Sequence, residues 1–398
     1  MTENNTAARP LEGLTVVDFS QFLAGPLAAL KLADLGARVI KIERPGSGDL
    51  GRSLYLSDLD IHGTNTLFHA INRNKESYAA DLKSPEDLAR VKKLVKRADV
   101  VIQNFRPGVI ARYGLDFKGV QKLNPRAVYA SVSGYGDSGE WVDLPGQDLL
   151  AQARSGLMWL SGSAEDAPVP MGLAIADQLA GNITVQGILA GLVQRGVSGK
   201  GCHVQTSLIE ALLDFQFEVL TTHFNDPAQR LPQRSAVNNA HAYLAAPYGV
   251  YQTADGYLAI AMTPVPRLAD VLDCESLRKY TDPQKWFTMR DTIKAELADF
   301  LMTRTTADWL SLLVPADIWA AEVLDWKQLQ ASAGFRSLDF VQSLRLPNGE
   351  EIRTTRSPLR IDGHTMTSAR PAPEVGQHNA GIDAEIARNF AAEPTAQA

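Results

Sequence analysis

The chain has 398 residues, 45% hydrophobic and 21% charged, with a formal net charge of -6, enough material for two domains. That mildly acidic balance argues against a nucleic-acid binder, and the two cysteines, Cys202 and Cys274, show neither metal-ligand spacing nor a disulfide framework. The opening MTENNTAARP has no apolar run and no later stretch reaches about eighteen uninterrupted apolar residues, so we expect a soluble cytoplasmic protein without signal peptide or membrane anchor.

Leu14–Phe19 reads as a buried strand, Ala24–Pro26 as a turn, Leu27–Asp34 as a helix and Ala37–Glu43 as the next strand, a Rossmann-type opening. A dinucleotide site there, with Glu43 on a ribose, lacks its Gly-x-Gly-x-x-Gly. Arg44-Pro-Gly-Ser-Gly-Asp49 then leaves the strand end and runs into a polar stretch reaching about His62. Asn72-Arg-Asn-Lys75 precedes a strand over Ser77–Asp81, and Ser84-Pro-Glu-Asp87 starts a helix to about Arg97. The strand Asp99–Ile102 ends in Gln103-Asn104-Phe-Arg-Pro-Gly108 and a helix carrying Arg112. Ala127–Val132 is the next strand, followed by the glycine-rich Ser133–Gly139. Each strand-end loop alone is ordinary turn chemistry. Jointly, Arg44, Lys75, Arg106 and Arg112 suggest cations around one phosphate-bearing ligand at the carboxyl edge of a sheet.

Gln147–Gly156 is amphipathic, with Asp148 in the position of a helix cap. Met171–Gln194 then shows apolar residues at helical spacing, while Ala180, Gly181, Gly187, Ala190 and Gly191 leave one side nearly bare. Such a helix packs very close to a neighbour. Asp177 stands at its start, either as an N-cap or, in its mostly uncharged company, as a nucleophile that is already ionised near neutral pH. His203–Thr206 is a short strand, and Ser207-Leu-Ile-Glu210 is a capping box for a helix to about His223.

The pattern shifts at Asn225. Tyr248–Tyr251 and Tyr257–Ala261 flank Thr253-Ala-Asp-Gly256 as a β-hairpin, and Thr306–Leu313 reads as a helix. We therefore expect an α/β protein with a Rossmann-like large domain over 1–224, a smaller α+β domain over 225–325, and a segment over 326–398 returning to the large domain, its end fraying from Ala387.

LEGLTVVDFS with the AGP that follows it, LGARVIKIERPGSGD, NRNKESYAADLKSPE, NFRPG, LNPRAVYASVSGYGDSG, the Asp177 helix and GKGCHVQTSLIEALL resemble the class III CoA-transferase family, which includes formyl-CoA transferase, carnitine CoA-transferase and α-methylacyl-CoA racemase. The resemblance covers roughly residues 11 to 260 and the tail through PEVGQH. It implies an interlocked homodimer, coenzyme A or acyl-CoA as substrate with no resident cofactor and no metal, and a small carboxylic acid as the second substrate. By the same resemblance Asp177 attacks the acyl-CoA carbonyl, passing through a mixed anhydride and an aspartyl-CoA thioester. Arg44, Asn74, Lys75, Asn104, Phe105 and Arg112 correspond to coenzyme A-binding positions.

Two departures narrow the chemistry. Leu23 stands where formyl-CoA transferase has a glutamine, and Arg234–Tyr243 replaces its glycine loop. Gln147 occupies the place of the racemase histidine and does not titrate usefully, which favours transfer over epimerisation. A non-catalytic acyl-CoA binder is a further alternative, weakened by the intact Asp177. Succinyl-CoA or another short acyl-CoA is the expected donor. Arg234, His241 and Tyr243 are candidates to grip the acceptor.

Overall fold

Six short strands lie side by side in one all-parallel sheet. In chain order they are β1 (Thr15–Asp18), β2 (Arg38–Glu43), β3 (Lys75–Ala79), β4 (Val100–Gln103), β5 (Val128–Ser133) and β6 (His203–Ser207), arranged β3-β2-β1-β4-β5-β6. This 3-2-1-4-5-6 order reverses direction between β1 and β4, the point where doubly wound sheets open a crevice beyond their strand ends. The structure is a computed structural model that describes residues 9–54, 59–61 and 63–390.

Strand alternation divides the apolar residues between two faces. Val16, Val39, Val100, Ile102, Val128 and Ala130 pack under α1 (Ala24–Asp34) and α5 (Ile175–Ser198), through Ala28, Ala29, Leu32, Val185 and Ile188. Val17, Ile40, Val101 and Tyr129 point the other way, toward α2 (Pro85–Arg97), α3 (Phe117–Leu123) and α11 (Asn379–Phe390), meeting Val91, Val95, Val120, Ile382 and Ile386. Each such buried side chain contributes about 1.5–3 kcal/mol relative to exposure. The edge at β3 is closed by the C-terminal segment: Asn379 Oδ1 accepts the Ala79 N–H at 2.8 Å, and its Nδ2 donates to Ala79 O at 2.9 Å.

The chain separates into two compact units, 1–151 with 174–211 and 338–398, and 152–173 with 212–337. The second unit has an antiparallel sheet of β7 (Gly249–Gln252), β8 (Tyr257–Ile260) and β9 (Ala320–Glu322). Leu258 and Ile260 bury against Leu268, Leu297 and Trp309 of α8 (Val265–Leu272), α9 (Arg290–Leu301) and α10 (Thr306–Leu313). It thus takes in residues 152–173 and 212–224, expected in the large domain, and residues 326–337, expected in the segment that returns to it. Three further differences are local. Ala24–Pro26 is the first turn of α1, not a separate turn, because a proline there gives up an N–H that has no helical partner anyway. The Ser207 capping box is formed, with Glu210 N–H donating to Ser207 Oγ at 3.2 Å, but the helix breaks at Gln216 into α6 (Leu208–Phe215) and α7 (Phe217–Phe224). Finally α11 runs through Phe390, so the fraying expected from Ala387 does not begin there; residues 391–398, and part of the polar stretch before His62, lie outside the described residues.

Candidate active site

Small residues on α5 allow it to lie against its neighbours. A Cβ at Gly181 would stand 2.8 Å from Ala24 O, one at Gly187 2.4 Å from Val204 Cγ1, and one at Gly191 2.7 Å from Cys202 Sγ. The bare stripe read from the sequence is therefore the face set against α1 and the sheet. Asp177 is the third residue of this helix, not its cap: Ala174 occupies the cap position and has no side-chain hydrogen bond to give.

The missing cap is replaced from elsewhere. Asp148 begins α4 (Asp148–Arg154), and its Oδ1 accepts the Asp177 N–H at 3.1 Å. Gln147 caps α4 itself, with Oε1 accepting the Leu149 N–H at 3.1 Å and its carbonyl accepting the Ala151 N–H at 3.0 Å. Gly134 and Gly146 make this arrangement possible, since a Cβ on Gly134 would fall 2.4 Å from Gly146 Cα. The glycine-rich loop after β5 and the segment leading to Asp148 thus pass backbone against backbone.

A neighbouring carboxylate disfavours the charged form of Asp177. Burial, and secondarily the charge of Asp148, push the Asp177 carboxyl up to about 7. Asp177 is therefore only partly ionised at neutral pH, which departs from the expectation of a fully ionised aspartate. Asp177 and Asp148 open on a cavity of about 510 Å³ at the carboxyl edge of the sheet. Its wall is largely apolar, with Phe22, Leu23, Val132, Val142, Leu144 and Leu208, and Arg106 is the one cation among the described residues that line it.

Of the six positions assigned to coenzyme A by resemblance, Asn104 and Phe105 line this cavity. Arg44 and Arg112 are exposed and lie outside it. Asn74 and Lys75 are also outside it, and both are engaged within the fold. Asn74 has a left-handed backbone (φ 62°) and donates from Nδ2 to Ala33 O at 2.8 Å. The Lys75 ammonium is fully buried, 2.8 Å from Pro26 O, 2.9 Å from Asn72 Oδ1 and 3.1 Å from Asp18 Oδ2. Burial holds its pKa down at about 8 against the pull of Asp18. A phosphate on this ammonium would have to displace Asp18, so a direct contact is not the geometry found. Nor is Glu43 free for a ribose, being paired with Arg52 at 2.7 Å and accepting from Ser77 Oγ at 2.6 Å.

In the second unit the guanidinium of Arg234 is spent on the carbonyls of Ser161, Ala164, Asp166 and Ala167, which makes it a staple of that turn rather than an acceptor clamp. His241 lies 3.3 Å from Glu218 and accepts the Tyr243 N–H at 3.1 Å, while the buried Tyr243 hydroxyl has no hydrogen-bond partner among the described residues. Among the described residues no cluster of His, Cys, Asp and Glu has the arrangement of a metal site, and no helix is long and apolar enough to cross a membrane.

Residues 11–379 match the model of the family described as CoA-transferase family III. The chain belongs to that family. Among curated proteins, a succinate–glutarate CoA-transferase of Agrobacterium fabrum is 32% identical, the match covering 97% of this chain and 98% of that one. An acetyl-CoA:oxalate CoA-transferase of Acetobacter aceti is 31% identical over 97% of this chain and 99% of the relative. Among solved structures, a CAIB/BAIF family protein from Brucella suis superposes with a TM-score of 0.82 at 29% identity, covering 96% of this chain and all (100%) of the other.

Proposed function

We propose that this enzyme moves coenzyme A from a short acyl-CoA to a small organic acid, with Asp177 as the covalent nucleophile. One observation carries the reading: a partly buried carboxyl, raised to about 7, on the wall of an apolar cavity at the sheet's carboxyl edge. An Asp177 oxygen attacks the thioester carbonyl, and the C–S bond breaks to give a mixed anhydride and coenzyme A thiolate. The thiolate then attacks the Asp177 carbonyl, releasing the first acid and leaving an aspartyl-CoA thioester. The incoming acid's carboxylate displaces the thiolate to form a second anhydride, and the thiolate takes the new acyl group, returning Asp177 as a carboxylate.

The environment suits this cycle. All three covalent intermediates are uncharged at Asp177, so acylation removes the charge that burial and Asp148 oppose. The forces that raise its pKa thus also favour the covalent state. Gln147 has its amide oxygen on a backbone N–H and no titrating group, which supports transfer rather than proton exchange at the α-carbon.

The names of the relatives support succinyl-CoA or another short acyl-CoA as donor and a small organic acid such as a dicarboxylate as acceptor. Arg44, Arg106 and Arg112 are the cations available to the phosphates of coenzyme A, with Asn104 and Phe105 at the cavity rim. An interlocked homodimer is the proposed assembly; exposed apolar side chains on α5 (Val193, Val197) and, in the other unit, on α7 (Phe217, Phe224) support it. Asp177→Asn tests the function: exchange of coenzyme A between acids should fall by about a thousandfold or more while free coenzyme A still binds. Turnover unchanged in that variant would remove the proposal.

A further inference from the structure

Four charged side chains lie completely inside the fold at the carboxyl ends of β1 and β2: Asp18, Lys41, Asp49 and Lys75 are each at most 2% exposed. Such a cluster is not an efficient way to stabilise a sheet, since burying ions costs what their mutual attraction returns. Its bonds converge instead on one short segment. Asp18 Oδ1 accepts the Ser20 N–H at 2.9 Å and also takes the Ser20 hydroxyl. Lys41 donates to Ser20 O at 2.7 Å and pairs with Asp49 at 2.8 Å. Asp49 Oδ1 accepts the Phe22 N–H at 3.2 Å and the Gly51 N–H at 2.7 Å. Lys75 anchors Asp18 from below at 3.1 Å. Asn104, at the end of β4, accepts the Gln21 N–H at 2.8 Å and donates to Gln21 O at 2.7 Å.

Every backbone polar group from the Ser20 N–H to the Phe22 N–H is therefore held by a side chain, the first by the nearby Asp18 and the others by Lys41, Asn104 and Asp49 from distant parts of the chain. Phe22 itself sits at φ 65°, a conformation that an aromatic residue does not keep without external restraint. Immediately after it, Phe22, Leu23 and Ala24 line the cavity with Asp177, and Ala24 O lies against Gly181 of the Asp177 helix. The five restraining residues come from four separate sequence motifs: Asp18 from LTVVDFS, Lys41 and Asp49 from ARVIKIERPGSGD, Lys75 from NRNK and Asn104 from NFRPG.

We infer that Asp18, Lys41, Asp49, Lys75 and Asn104 are positioning residues that fix the Ser20–Leu23 segment as the rigid cavity wall beside Asp177, and that Asn104 acts through Gln21 rather than by gripping coenzyme A. This rests on Asp177 as the reacting group. A wall displaced by an ångström misaligns the thioester for attack, and such misplacement costs rate more than affinity.

Asn104→Ala, an uncharged change at the cavity rim, is the primary test, measured on the full-length protein with its melting temperature as a check on folding. Steady-state exchange and equilibrium binding of free coenzyme A are read together. The inference predicts a kcat about 10- to 100-fold lower, with KM for acyl-CoA and Kd for coenzyme A within about twofold. An unchanged kcat, or a loss appearing as weaker coenzyme A binding, overturns it. Asp49 supplies a second test: Asp49→Asn keeps an oxygen for the Phe22 and Gly51 N–H groups and should recover most of the kcat lost in Asp49→Ala, and equal losses in the two would contradict the positioning role. Covalent trapping at Asp177 in the parent protein reports separately on the nucleophile, so failure of one reading is not mistaken for failure of the other.

Discussion

Asp148 accepts the backbone N–H of Asp177 at 3.1 Å, so one carboxylate caps the helix that carries the other. The same placement sets a negative charge beside Asp177 and, together with the larger effect of burial, raises its pKa to about 7. Capping and electrostatic tuning are one contact.

The acid limb of the rate profile follows from it. In the proposed mechanism Asp177 attacks as the carboxylate, so kcat/KM should rise with pH and level off above about 7. Asp148→Asn keeps an oxygen for the Asp177 N–H but loses the charge. Its midpoint should move toward acid without reaching the ordinary aspartate value, because burial is the larger cause. A pH–rate series on the two proteins checks this, and a midpoint that does not move would show that Asp148 does not act on Asp177.

Stability should carry the opposite sign to activity. The folded state keeps the Asp177 proton up to about 7 while the unfolded chain releases it near the ordinary aspartate value of 3.8. Between those limits the native state binds more protons than the unfolded one, so stability from this group falls as pH rises. Asp177→Asn removes the penalty. Its melting temperature should exceed the parent's by roughly 2 °C or more at pH about 8, with the difference closing toward pH about 4. Calorimetry at the two pH values measures it.

Lysine and arginine positions that resemblance treats alike should separate. Lys75→Met strands the buried Asp18 carboxylate, whose remaining ammonium is Lys41 at 4.0 Å, and should destabilise by about 3–5 kcal/mol. Arg44→Ala and Arg112→Ala, on exposed side chains, should leave the melting temperature within about 1 °C and raise KM for acyl-CoA roughly tenfold. Denaturant titration and steady-state kinetics together decide between these roles.

Gly134→Ala tests the backbone crossing that delivers Asp148. The added carbon would meet Gly146 Cα at 2.4 Å, backbone against backbone, so the loops must part. We predict a loss of about 1–3 kcal/mol in stability and a fall in kcat of about tenfold or more, measured on the folded fraction.

Local signals placed most of the architecture. The strands from Leu14, Ala37, Ser77, Asp99, Ala127 and His203 all appear within about two residues of their expected limits, because each is a short run bounded by turn chemistry, most of them apolar. The α2 helix follows its Ser84-Pro85 start, and the bare side of α5 does face close neighbours. Nonlocal pairing was not legible. Lys75 looked like a free cation at a strand end, and nothing near it in sequence names Asp18, 57 positions away, as its partner. Asp148 looked like a cap of its own helix, when it caps the helix of Asp177, 29 positions on. Charges at Asp18 and Lys41 inside otherwise apolar strands were the available hint that a buried polar network lay there.

The most direct measurement is peptide mass analysis after the protein is incubated with an acyl-CoA and then hydroxylamine or borohydride. The account predicts a hydroxamate or a reduced side chain at Asp177, formed only with acyl-CoA present and absent from Asp177→Asn. Sustained turnover with an unmodified Asp177 peptide, or with the label on another residue, would contradict it.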